Sequence, residues 1–435
     1  MMDVTGPLES LDNQTSFVNT LSALFNKEDF SDIKLIVNKK LTLNAHKFIL
    51  VVRSDVFRTL LDTERWSDAK DQTVHLTEEE DCLDHFQDFL RYLYSGSVTL
   101  STVNVLPLHL LSEKYNVQEL RESCQQFMLA NVAAPGSSNR AITWQRYAKL
   151  TALTQLEEKC LRFIAWNIDT IIKSPDWTSM EPHQLSSLLQ RSDLVVEDEV
   201  VLFQALVSWL SLHPAHTEEM LQHICYPMMP PEKLFDLQAP GNLPEAISTY
   251  LYREGLLVYQ VHLLPMDVIS KRHDITTIPF TMRLYTSQDF SHLWNISGYE
   301  LQTSTLTSFS TSHFKLKTQW CVSFLPTGQR VQWPRRNYHS HMQYGEIQQE
   351  DEFSTLSASV SNCDPAGKTH SHKLSILLYQ CVNGMWFVND MKTLNVPHSE
   401  NTQINDLIPL SEWDKYISND TIKLHVIGHT IWEKC

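Results

Sequence analysis

The sequence predicts a multi-domain α+β chain: a mixed α/β unit first, an all-α unit next, and an antiparallel β-sandwich-like unit last. Three observations carry this. Residues 30–61 read as two alternating strand segments feeding a helical hairpin; residues 140–265 place apolar side chains at helical spacing; beyond Phe280 that spacing gives way to short alternating runs. The implied divisions are an N-terminal segment, 1–29, with a short amphipathic helix, then domains at 30–131, 140–265 and 280–435.

In the N-terminal segment Phe17, Leu21, Leu24 and Phe25 fall at helical spacing. Ile33, Leu35 and Val37 then alternate with Lys34, Ile36 and Asn38, residues 38–40 make a polar turn, and Leu41 and Leu43 resume the alternation. From Ala45 the period turns helical, and Ser54 with Asp55 is placed to cap a second short helix carrying Val56, Phe57, Leu60 and Leu61. Residues 73–76 suit a short strand, and helical patterns follow over 83–94, 102–113 and 117–129. Pro107 either kinks the second of these or marks its first turn.

Residues 132–139, small and polar around Pro135 and Gly136, read as a linker. One apolar stripe then runs through Tyr147, Leu150, Leu153, Leu156 and Cys160, and another through Val200, Phe203, Leu206 and Leu210, implying a bundle or helical array. Asp198 and Glu199 open the latter helix, where acidic groups suit the dipole. In the last third Trp320, Val322 and Phe324, then Leu374, Ile376 and Leu378, then Ile422, Leu424 and Val426 alternate as strands do. The chain shows no fixed-period repeat, which argues against a propeller.

A formal net charge of -16 argues against nucleic acid as a partner. No apolar run reaches the ~20 residues of a membrane span. The first residues lack a basic start with an apolar core, so the expected location is cytoplasmic, with secretion as the alternative. The 8 cysteines are scattered without a C-x-x-C, Cys124 and Cys160 read as buried thiols, and a Cys363–Cys381 bridge is conceivable. Residues 366–369, Ala-Gly-Lys-Thr, are half a phosphate loop, with Asn362 where the first glycine belongs. The pairs His339 with His341 and His370 with His372 have ligand-like spacing, but read better as solvated loop histidines. Trp333 with Arg335 and Arg336 reads as a surface turn. No catalytic signature is present, so neither an enzyme nor a cofactor or metal is expected.

The residues also resemble a family. SDIKLIV at 31–37, AHKFILVVRSDVFRTLL at 45–61 and RYLYSGSV at 91–98 are similar to a BTB/POZ domain, and LLQRSDLVVEDEVVLFQALVSWL at 188–210 to the centre of a BACK domain. ICYPMMPPEKLFDLQ at 224–238, RLYTSQDFSHLW at 283–294 and QWCVSFLPT at 319–327 resemble the galectin-3-binding-protein group. The resemblance implies a non-enzymatic homodimeric protein-interaction adaptor. Its dimer seam would involve the helix around Phe17 and Leu21 and a charged pair, Asp32 with Lys47; a strand-end cap is the other reading of Asp32. Many such adaptors serve cullin-3 ubiquitin ligases and bind the cullin partly through a hydrophobic-x-Glu motif. Residues 103–107, Val-Asn-Val-Leu-Pro, carry no acid there, which puts cullin-3 in doubt. The alternative is a secreted self-associating adhesion scaffold, for which Asn13, Asn295 and Asn419 supply N-x-[ST] glycosylation acceptors.

Overall fold

A computed structural model describes residues 13–61, 73–274, 283–297, 305–313, 316–325, 354–362, 371–397 and 401–431. The chain divides into two compact units: one runs to Val132 and includes Tyr147–Leu156, and the other takes Ala133–Arg146 and the chain from Glu157.

The first unit opens with α1 (Gln14–Ala23), followed by β1 (Ile33–Val37) and β2 (Leu41–Ala45), which pair antiparallel with Leu35 opposite Leu43. Their turn holds Asn38 and Lys39 at φ of 48° and 59°, the left-handed twist that a tight hairpin needs. α2 (Lys47–Arg53) and α3 (Asp55–Leu60) form the expected hairpin, separated by extended Ser54. Ser54 Oγ accepts the Phe57 N–H at 3.1 Å and donates to the Tyr115 carbonyl at 2.5 Å, so one hydroxyl caps α3 and ties the hairpin to the core. β3 (Thr73–Leu76) joins β1 in parallel, giving the order β2-β1-β3. α4 (Glu80–Ser95), α5 (Val105–Lys114) and α6 (Gln118–Ala130) follow, with Pro107 in the first turn of α5. The aromatic centre is Tyr115: Phe57 stacks on it at 4.6 Å, and Phe86 and Phe89 lie at 6.0 and 5.3 Å.

In the second unit the expected linker is a packed turn. Buried Asn139 donates to the Ala134 carbonyl at 3.2 Å and accepts the Ala141 N–H at 2.9 Å, which starts α7 (Ala141–Leu150). A Cβ at Gly136 would come 2.8 Å from the Thr170 carbonyl, so only glycine fits there. The stripe through Leu150 breaks after α7: Leu150 is exposed, and Ala152 at φ 56° turns the chain into α8 (Thr154–Trp166). Next come α9 (Ile168–Ile171), α10 (Pro182–Leu189), β4 (Val195–Val196), α11 (Glu199–Leu210), α12 (Thr217–Leu221), α13 (Pro231–Leu237), α14 (Glu245–Leu263) and α15 (Met266–Ile269). Asp198 caps α11 by accepting the Val201 N–H at 2.9 Å. Glu199 opens the helix as expected, and it is also fully buried, 3.3 Å from the guanidinium of Arg283.

The strands from Leu284 onward are β5 (Leu284–Tyr285), β6 (Ser291–Ser297), β7 (Thr305–His313), β8 (Leu316–Leu325), β9 (Thr355–Asn362), β10 (Ser371–Val382), β11 (Met385–Val396), β12 (Asn401–Ile404), β13 (Ile417–Ser418) and β14 (Thr421–Ile431). They make one sheet of order β11-β10-β14-β13, with β6 also on β14, and a second of order β12-β9-β8-β7. Trp320, Val322 and Phe324 of one sheet share a core with Leu374, Ile376, Leu378, Ile422, Leu424 and Val426 of the other, the interleaving of an antiparallel sandwich. Gly428 is required: a Cβ would lie 2.3 Å from the Trp320 ring. His372 corrects its solvated-loop reading. It is a buried β10 residue, 5.8 Å from the Trp320 ring.

Candidate functional site

The feature that stands out in the first unit is an apolar row on the outside of the α2–α3 hairpin. Phe48 is 75% exposed, Val52 57%, Val56 37% and Leu60 38%. Phe48 and Val52 share a face of α2, and Val56 and Leu60 share a face of α3, each pair four residues apart with extended Ser54 between the two helices. Ile49, Leu50 and Phe57 are buried. In α1 no residue is buried, and Phe17 is 65% exposed. Leu21 is half-buried, and the helix is followed by Phe25, which packs on Tyr94 at 5.8 Å under the Arg91 guanidinium.

Asp32 and Lys47 come together at this end of α2, through the backbone. Asp32 Oδ1 accepts the Lys47 N–H at 2.8 Å, capping the helix, and among the described residues no ion pair joins the two side chains. Asn13 is exposed beside α1; Asn295 is exposed on β6; Asn419 is exposed at φ 49° in the β13–β14 turn. Ser297 and Thr421, the third residues of the last two acceptors, sit opposite each other with hydroxyls 3.2 Å apart.

The buried polar groups of the second unit serve the fold. Glu199 accepts the Cys225 N–H at 2.7 Å and the Tyr285 hydroxyl at 2.7 Å, while Arg283 donates to the carbonyls of Leu189 and His223 at 2.8 and 2.6 Å. Burial alone would lower the Arg283 pKa; Glu199 more than reverses this. Ser291 Oγ is 2.8 Å from His425 Nε2, but its proton goes to the Ser287 carbonyl at 2.9 Å, so it accepts from the imidazole rather than being activated by it. Burial pushes Cys124 and Cys160 up to about 12, away from reactive thiolates. Residues 333–336 and 366–369, with His339, His341, His370 and Cys363, lie outside the described residues.

Three family models match in succession: the BTB/POZ domain at 21–132, the BTB And C-terminal Kelch (BACK) region at 141–239, and the BTBD17 TRAF domain at 280–431. The chain belongs to the BTB–BACK proteins. Human BTB/POZ domain-containing protein 17 is 34% identical over 74% of this chain and 66% of its own length, and the Xenopus laevis protein of that name is 24% identical over 97% and 92%. Mouse galectin-3-binding protein is 27% identical over 68% of this chain and 53% of its own length. The chain thus spans just under two thirds of the human relative and about half of the mouse one. Among solved structures it is similar to the BTB domain of human gigaxonin, at 19% identity over 28% of this chain and a TM-score of 0.24.

BTB and BACK domains are protein-interaction modules, and the exposed apolar row lies on the BTB domain. Phe48 and Val52 were not legible as surface residues because both ends of a short amphipathic helix look apolar in sequence. The four-residue spacing within each helix, Phe48 to Val52 and Val56 to Leu60, was the available signal. Among the described residues no helix is long and apolar enough to cross a membrane.

Proposed function

We propose that this chain is a homodimeric BTB–BACK adaptor whose BTB domains pair through the row Phe48, Val52, Val56 and Leu60 and through the α1 residues Phe17 and Leu21. The row carries the reading: four exposed apolar side chains, two on α2 and two on α3, leave water only if a partner covers them. A self-complementary contact between two copies is the ordinary solution. Asp32 and Lys47 then lie near the seam, the carboxylate fixing the start of α2. The C-terminal sandwich is the client-binding arm, and delivery of that client to a cullin-3 ligase is the finer form of the proposal. Val103, 63% exposed, precedes α5 without the acid that such contacts use, so the BACK helices would have to supply much of the cullin surface.

Light scattering on the full chain tests the dimer. The expected mass is twice 50.3 kDa, and Phe48→Asp with Val52→Asp should give a folded monomer. A double variant that keeps the dimer mass puts the seam elsewhere. Cullin-3 pull-down with the dimer intact tests the ligase role, and no recovery removes it.

The exposed positions of Asn295 and Asn419 favour a second reading, a secreted scaffold comparable to galectin-3-binding protein. Protein in the culture medium whose mass falls on glycosidase treatment would replace the intracellular reading with this one. Unshifted protein confined to the lysate would retire it.

A further inference from the structure

We propose that the outer face of the β11-β10-β14-β6 sheet binds an acidic peptide segment of a partner protein, with a carboxylate seated on Lys423. The proposal rests on the client-binding role given above to the C-terminal sandwich and names the chemistry of that contact. Ile422 and Leu424 point into the sandwich core, so the side chain of Lys423 between them stands on the opposite face. Its Nζ lies 4.6 Å from the Tyr379 ring centre and 5.9 Å from that of Trp386, on the next two strands. Asn295, exposed on β6, is the register partner of Lys423 on the other side. Trp386, Tyr379, Lys423 and Asn295 therefore form a row across four strands.

What marks the row as a site is an imbalance of charge. The chain has 51 acids against 35 bases, yet among the described residues no carboxylate lies within ion-pair distance of Lys423. The ammonium is half-buried, and its pKa is lowered by that burial alone. Two aromatic faces attract a cation but do not replace a counter-ion. The Tyr379 ring is held in place by its hydroxyl, 3.3 Å from His425 Nδ1, so the cradle is formed in advance. Leu293, 44% exposed, stands two positions from Asn295 on β6, on the same face, and suits an apolar residue beside the acid. The fit is an extended segment alternating Glu or Asp with an apolar residue.

The test uses the full chain and a fluorescein-labelled peptide of three Glu-Leu repeats, with the Gln-Leu peptide as the uncharged control, read by anisotropy. The Glu peptide should bind, its affinity should fall with salt, and Lys423→Gln should weaken it about tenfold while Lys423→Arg keeps it. Asn295→Ala, which leaves the cation in place, should weaken it less. Equal binding of the Glu peptide to the wild type and to Lys423→Gln, or no binding by the wild type, overturns the proposal. The dimer mass is read on the same samples. A dimer that ignores the peptide sinks this inference alone, and a monomer that binds it sinks the dimer reading alone.

Discussion

Asp32 shows how much one side chain can be asked to do. Its carboxylate accepts the first N–H of α2, a bond that removal to alanine should cost about 1 kcal/mol, measured by chemical denaturation. The seam proposal adds a second outcome. Asp32→Lys should yield monomer or aggregate by light scattering, whereas an unchanged dimer would leave Asp32 a cap and nothing more. The sequence allowed both roles for this residue. The capping bond depends on where β1 delivers Asp32 relative to α2, which no local pattern specifies.

At the scale of elements, the short parallel pair β4–β5 joins the BACK helices to the start of the TRAF domain, and the chemistry beneath it is the Glu199–Arg283 pair. Asn167 makes a second tie between the same regions: its amide donates to the Val388 carbonyl at 3.0 Å and its Oδ1 accepts the Val388 N–H at 2.8 Å, acting as a strand would on the edge of β11. Arg283→Met would leave Glu199 buried without its cation and should cost roughly 3–5 kcal/mol in denaturant unfolding. Adding Glu199→Leu to that variant should recover much of the loss. A loss below about 1 kcal/mol in the single variant would mean that the pair is not the joint between helices and sandwich. The helical spacing around Val200 was legible because it repeats locally. The role of Glu199 was not, because its partner lies 84 positions away in sequence.

The whole molecule carries a pH dependence set by buried histidines. Burial pushes His425 down to about 4 and His429 to about 3. Folded values below the ordinary 6.5 mean that both groups support the native state above about pH 6.5, and that this support is lost as the pH falls through about 4 and about 3. Asp169 acts in the opposite sense: burial raises it to about 6, so its contribution is complete below its ordinary 3.8 and disappears as the pH rises through about 6. Two imidazoles displaced farther outweigh one carboxyl. The denaturation midpoint of the second unit should therefore fall between pH 6.5 and pH 4. A midpoint that holds steady or rises over that interval would show that water reaches His425 and His429.

Sequence alone determined the order of the modules. Strand alternation through Val37, helical stripes through Leu210 and renewed alternation at Trp320, Leu374 and Ile422 each express the repeat of a single element against a core. It also determined the cap at Ser54, since a cap acts within three residues of itself. Only the tertiary structure decided which apolar residues stay outside. Phe48 and Leu50 differ little as letters, yet Leu50 is buried and Phe48 faces water. The same holds for charge: Glu199 meets its cation and Lys423 meets two aromatic rings because separate strands arrive beside them. Burial and pairing are sums over neighbours distant in the chain, and a one-dimensional pattern records only the near ones.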